Sequence, residues 1–196
     1  MHSTPSSLAI AQLSHPGRQS PCSVSRQPLA PSAVPVSLPS LGGLLSRALF
    51  RCPRAMTNVE ILHVVHSFAA SAKHAEACGF DGVQIHAAHG YLLSQFLSPK
   101  TNQRTRFYGG SEVARRRMLM EVIERVRDAT GPTFVVGVKI NSEDFQVRPA
   151  LFRMERMRMA VYSCFFSLLC VSSGARHAHN IPRFLCLLLP PLSVTV

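Results

Sequence analysis

Acidic residues are missing from both ends of this 196-residue chain. All ten Asp and Glu lie between Glu60 and Glu155, a window that holds twelve of the 21 Lys and Arg, an excess of only two. The flanks carry the other nine basic residues and no carboxylate, and so supply nine of the eleven net positive charges. A face that binds nucleic acid or an acidic membrane clusters its cations. Here the flanking arginines are scattered among Pro, Ser and Leu. The charge therefore reflects missing acids, and no nucleic acid and no membrane is expected as partner. Other absences narrow the field. The six cysteines form no CxxC pair, and no basic segment followed by an apolar stretch opens the chain, which argues against a disulfide framework. Free thiols in a reducing, cytoplasmic compartment are the expectation. No apolar run is long enough for a bilayer: Val161–Val171 is too short, and Leu185–Leu189 ends at Pro190-Pro191. The GxGxxG pattern is also missing, so Gly109-Gly110 is no dinucleotide fingerprint.

What is present reads as a globular α/β unit, since 46% of residues are apolar. Ala9–Leu13 suits a short buried strand, ending at His15-Pro16-Gly17-Arg18. Eight of the 14 prolines fall by Pro53, and Gln19 to Arg54 shows no sustained periodicity, as in a loop or linker. At Thr57 the character changes. Thr57-Asn58-Val59-Glu60 has the spacing of a capping box. Ile61, Val64, Val65, Phe68, Ala72 and Ala75 then recur at helical spacing, up to a C-capping Gly79. Gly82-Val83-Gln84-Ile85 reads as a buried parallel strand. A polar loop, Ser98 to Ser111, precedes a second helix with Val113, Leu119, Val122, Ile123 and Val126 on its apolar side. Gly131-Pro132 stops it, and Phe134–Ile140 is a second apolar strand. The order helix, strand, helix, strand predicts a parallel βαβ crossover, without choosing barrel over open sheet. Beyond Phe145 no continuation of the βα series is legible.

This topology places His86 and His89 at the carboxyl end of one strand and Lys139 near the carboxyl end of the next. Ligands bind at that edge of α/β sheets and barrels. Two imidazoles three residues apart can donate two N–H bonds to one oxygen and so polarise a carbonyl. Tyr91 offers a phenolic proton, and Lys139 a fixed positive charge. Without a nucleophile–base pair or carboxylate dyad, the set suits carbonyl activation with hydride or proton transfer better than hydrolysis. Plainer readings stand beside it: surface histidines, a packing tyrosine, an edge lysine. A zinc site lacks a third ligand nearby, so no metal is expected.

Gly79 to Pro99 (GFDGVQIHAAHGYLLSQFLSP), Thr101–Thr105, Tyr108–Ser111 and Val136–Phe145 closely resemble the old yellow enzyme family of FMN-dependent NADH:flavin oxidoreductases and ene-reductases. Ala11–Pro21 and Ala30–Val34 resemble it too. The resemblance implies a (β/α)8 TIM barrel carrying FMN at its carboxyl-terminal edge, with NAD(P)H as reductant. It implies Gln12 and Lys139 as cofactor-binding residues, Lys139 at the N1/O2 edge of the flavin. It also implies catalytic roles for His86 and His89, which grip a substrate carbonyl, and for Tyr91, the proton donor. The implied reaction passes hydride from NAD(P)H to FMN, then to the β-carbon of an activated alkene such as an enone, while tyrosine protonates the α-carbon. Nothing in the sequence reports on oligomeric state.

The pattern also departs from the family. Arg106 replaces an acid and Ala114 an asparagine, which affects local packing more than chemistry. Only about three of the eight strands are legible, and the glycines and arginine that hold an FMN phosphate do not follow Phe145. The expected division is residues 1–52, an N-terminal segment with one strand motif (8–34) and a Pro/Ser-rich linker; residues 53–145, βα units of the barrel; and residues 146–196, a tail of non-family character. An incomplete barrel is the expected fold, with disordered or non-native flanks and unpaired sheet edges. Two functions compete: a truncated FMN-dependent oxidoreductase, and a catalytically inactive fragment from a truncated or mispredicted gene.

Overall fold

The capping box forms as its spacing predicts. Thr57 Oγ1 accepts from Glu60 N–H, and Glu60 Oε2 accepts from Thr57 N–H, opening helix α1 at Asn58–Ala77. The computed structural model describes residues 7–37, 46 and 48–141, together with the backbone of 160–164 and 167–172. Arg54 pairs with the same Glu60 at 2.5 Å, which ties the strand before the helix to its first turn. All six apolar positions predicted for α1 are buried, and Gly79 follows its C-cap with φ +84°.

The strands are β1 (Ile10–Leu13), β2 (Leu29–Ala30), β3 (Arg54–Ala55), β4 (Gly82–Ala87), β5 (Val135–Ile140), β6 (Ala160–Cys164) and β7 (Ser167–Ser172). Helices α2 (Leu92–Leu97) and α3 (Glu112–Ala129) complete the described elements, with a 3-10 turn at Gly17–Gln19. β4 and β5 are parallel neighbours, as the βαβ reading requires, and β1 pairs in parallel with the other edge of β4. β4 runs two residues beyond the predicted Ile85, so His86 lies inside the strand. Alternation then divides the sheet. Val83, Ile85, Ala87, Val136, Val138 and Ile140 face α1 and α3 and form the core with Phe68, Met118 and Val122. Gln84, His86, Gly137 and Lys139 face the other way.

Several expectations change. β1 is not fully buried: Ile10 and Gln12 are exposed, because β1 is an edge strand of the described sheet. The linker between Gln19 and Arg54 contributes the β2–β3 pair. Val113 is 71% exposed in the first turn of α3, and Met118 takes a core position instead. Ser111 caps α3 by accepting from Ala114 N–H, so the start of the helix forms without the family asparagine. The loop from Ser98 to Ser111 is polar but packed. Asn102 is buried and donates to Phe96 and Tyr108 carbonyls, at 2.7 and 2.6 Å. Beyond Phe145, where no element was legible, β7 pairs antiparallel with β5 and β6 antiparallel with β7. The outer edge of β5 is therefore paired, contrary to expectation, although by no βα unit. The remainder of the predicted tail lies outside the described residues.

Candidate active site

The register of the parallel strands builds the site in layers. Gln12, Gln84 and Gly137 are opposite one another on β1, β4 and β5, and one layer nearer the carboxyl ends His86 is opposite Lys139. Gln12 Nε2 donates to Gln84 Oε1. Gly137 adds no side chain to that layer. Lys139 is half-buried and makes no ion pair among the described residues.

The loop after β4 folds back over this face. His86 and His89 approach edge-on at 4.9 Å between ring centroids, and Tyr91 lies 4.9 Å from His86 on another side. His86 is 3% exposed. Burial, then the positive potential of His89 and Lys139, holds its pKa down at about 4. His89 is lowered too, by burial first and Lys139 second. Near neutral pH His86 is therefore uncharged. Its Nδ1 accepts the Ala88 N–H at 3.2 Å, which puts the ring proton on Nε2. Nε2–H is the donor left for a ligand oxygen. His89 has a left-handed backbone, φ 57°, with its N–H donated to Asn141 Oδ1 at 3.2 Å. Tyr91 caps α2 in an extended conformation and uses no side-chain bond to do so.

All five residues predicted from sequence thus lie on one face or in the loop closing over it. Two further polar groups there were missed. Gln84 was signalled by alternation, two residues before His86 on the same strand. Asn141 was signalled by its place directly after β5. No group of three His, Cys, Asp or Glu gathers as a metal site among the described residues. Cys22, Cys52 and Cys78 are free and exposed. No helix among the described residues is long and apolar enough to cross a membrane.

Fold and site together define a parallel β/α unit with a pair of neighbouring imidazoles at the carboxyl ends of its strands. Residues 2–176 match the model of the NADH:flavin oxidoreductase / NADH oxidase family. The NADH-dependent flavin oxidoreductase nadA of Aspergillus parasiticus is 44% identical over 140 residues, 71% of this chain and 30% of that protein. An NADPH dehydrogenase of Clostridium acetobutylicum is 40% identical, over 72% of this chain and 38% of its own length. Among solved structures, the old yellow enzyme homologue from Zymomonas mobilis superposes with a TM-score of 0.58 at 38% identity, over 68% of this chain and 37% of that one. Morphinone reductase in complex with tetrahydroNAD gives 0.57 at 35% identity, over 67% and 38%. The chain belongs to the NADH:flavin oxidoreductase / NADH oxidase family, the old yellow enzymes. It is α/β and comprises part of a (β/α)8 barrel. It spans about a third of the length of these relatives. The family's cofactor is FMN and its reductant NAD(P)H.

The polar face fits a flavin. A carboxamide pair on β1 and β4 offers matched donor and acceptor groups to a planar ring. Lys139 on β5 supplies a cation with no carboxylate partner among the described residues.

Proposed function

We propose that this chain carries the substrate and flavin-ring site of an FMN-dependent NAD(P)H oxidoreductase that reduces activated alkenes such as enones. The observation that supports it most is the convergence of His89 and Tyr91 on His86, each with its ring centroid 4.9 Å from that of His86, on the strand that also carries Gln84 and pairs with Lys139. Gln12 would hold the polar edge of the ring. Lys139 would stabilise negative charge at that edge. When bound, FMN supplies the hydride, renewed by NAD(P)H. His86 and His89 grip the carbonyl oxygen, His86 through Nε2–H, and stabilise the charge that develops there. Tyr91 gives its phenolic proton to the α-carbon. Residues 8–34 and 53–145 form the flavin-oxidoreductase unit in this reading, and its place is the cytoplasm.

Reconstitution with FMN followed by anaerobic addition of NADH or NADPH and 2-cyclohexenone tests the proposal. The expected result is flavin bleaching by the nicotinamide and re-oxidation by the enone. A flavin that stays oxidised, or stays reduced after the enone is added, contradicts it.

A second reading, a catalytically inactive fragment of such an enzyme from a truncated or mispredicted gene, is favoured by one observation. β5 has an antiparallel neighbour, β7, where a barrel of parallel strands would place another parallel one. Translation of the transcript past the codon for Phe145 separates the two. An uninterrupted message encoding this tail counts against the fragment, and further βα units in another frame support it.

A further inference from the structure

Two carboxamides, one buried and one half-buried, hydrogen-bond to the backbone of the β4–α2 loop. Gln95 on α2 is 1% exposed. Its Nε2 donates to Gly90 O at 2.7 Å and to Pro16 O at 3.2 Å, while its Oε1 accepts from Arg18 N–H at 3.2 Å. Gln19, in the turn after β1, donates through Nε2 to His89 O and Gly90 O, both at 3.0 Å. Between them they occupy the carbonyls of two successive left-handed residues, His89 at φ 57° and Gly90 at φ 73°. A non-glycine residue resists that conformation unless its surroundings enforce it.

The two loops are fitted to the glutamines. A Cβ on Gly17 would lie 2.6 Å from both Nε2 and Oε1 of Gln95. One on Gly90 would lie 2.8 Å from Gln19 Nε2. Leu92 N–H donates to His15 O at 2.9 Å and closes the same seam.

We infer that Gln19 and Gln95 are positioning residues: they lock the His89-Gly90 backbone onto the loop after β1 and so aim the His89 ring beside His86. The inference rests on the proposed role of the two histidines. It adds that the geometry of their shared grip is set from β1, the strand that carries Gln12. Neither glutamine bonds to an imidazole in the structure, so each acts through the backbone.

The test uses the full chain without FMN. Histidine ring protons are followed by NMR in the unaltered chain and in Gln19→Ala, Gln19→Glu and Gln95→Leu. The unaltered chain is expected to show a His86–His89 ring cross-peak, because the centroids are 4.9 Å apart. Each variant is expected to lose it. Gln19→Glu keeps the size but cannot donate, so it should behave like Gln19→Ala. With FMN added, kcat/KM for 2-cyclohexenone should fall about 10²-fold in Gln19→Ala, with FMN affinity unchanged. If Gln95→Leu fails to fold, the Gln19 variants decide. A full-strength cross-peak in Gln19→Ala overturns the inference, as does its absence from the unaltered chain. An unaltered chain that shows the cross-peak and never turns over an enone counts against the proposed function and not against the positioning role.

Discussion

His86 owes its chemistry to where its two nitrogens are placed. The Ala88 N–H occupies Nδ1, and burial beside His89 and Lys139 keeps the ring uncharged down to about pH 4. Stability must then depend on pH. The unfolded imidazole titrates at 6.5 and the folded one at about 4, so the unfolded chain binds protons first as pH falls. The contribution of His86 is complete above about 6.5 and is lost progressively as pH drops toward 4. Burial lowers His15 and His89 in the same direction. Urea midpoints should therefore fall between about pH 7.5 and about pH 5, and His86→Phe should flatten the slope. For Tyr91 the prediction is kinetic. Tyr91→Phe leaves FMN reduction by NAD(P)H intact and slows enone turnover by about 10²-fold or more, measured by stopped-flow absorbance of each half-reaction. At this scale the sequence was legible wherever chemistry and local spacing coincide, as in His86, His89 and Tyr91. It was silent on Gln19, whose partner Gly90 lies 71 positions away, and on Gln95, which bonds both to Gly90, 5 positions back, and to Pro16, 79 positions away.

Among the elements, α1 was the easiest to read because its signals are local. A capping box and a 3.6-residue apolar stripe lie in one continuous segment. Thr57→Ala should cost about 1 kcal/mol in urea denaturation, since it leaves the Glu60 N–H without its acceptor. α2 escaped notice for the opposite reason: it has six residues and no side-chain cap, and tertiary contacts hold it in place. Exposure of Val113 has a similar cause. Periodicity assigns it a face, but the first turn of α3 lies beyond the core. β4 and β5 require Gly82 where they meet. A Cβ there would be 2.4 Å from Val135 O and 2.5 Å from Val135 Cβ. Gly82→Ala is expected to destabilise by about 1–3 kcal/mol without changing the denaturant slope. Loss of register would also separate His86 from Lys139, so the same variant should weaken FMN binding.

For the molecule as a whole, charge pointed to composition more than to partners. Nine of the eleven net charges are scattered along flanks without carboxylates, whereas one half-buried lysine lies opposite His86 in the site. The parallel β4–β5 pair was legible because helices and strands alternate in sequence, whereas the place of β1 beside β4 was not. The antiparallel β7–β6 addition was not legible either, since no alternation of helix and strand marks it in the sequence. The central claim is that the polar face of β1, β4 and β5 holds a flavin ring. Titration of the full chain with FMN, followed by quenching of flavin fluorescence, tests it most directly. Saturable one-to-one quenching is predicted, weakened about tenfold or more by Gln12→Leu and by Lys139→Gln, each of which removes a polar or charged contact. Absence of saturation, or equal affinity in both variants, would contradict the account.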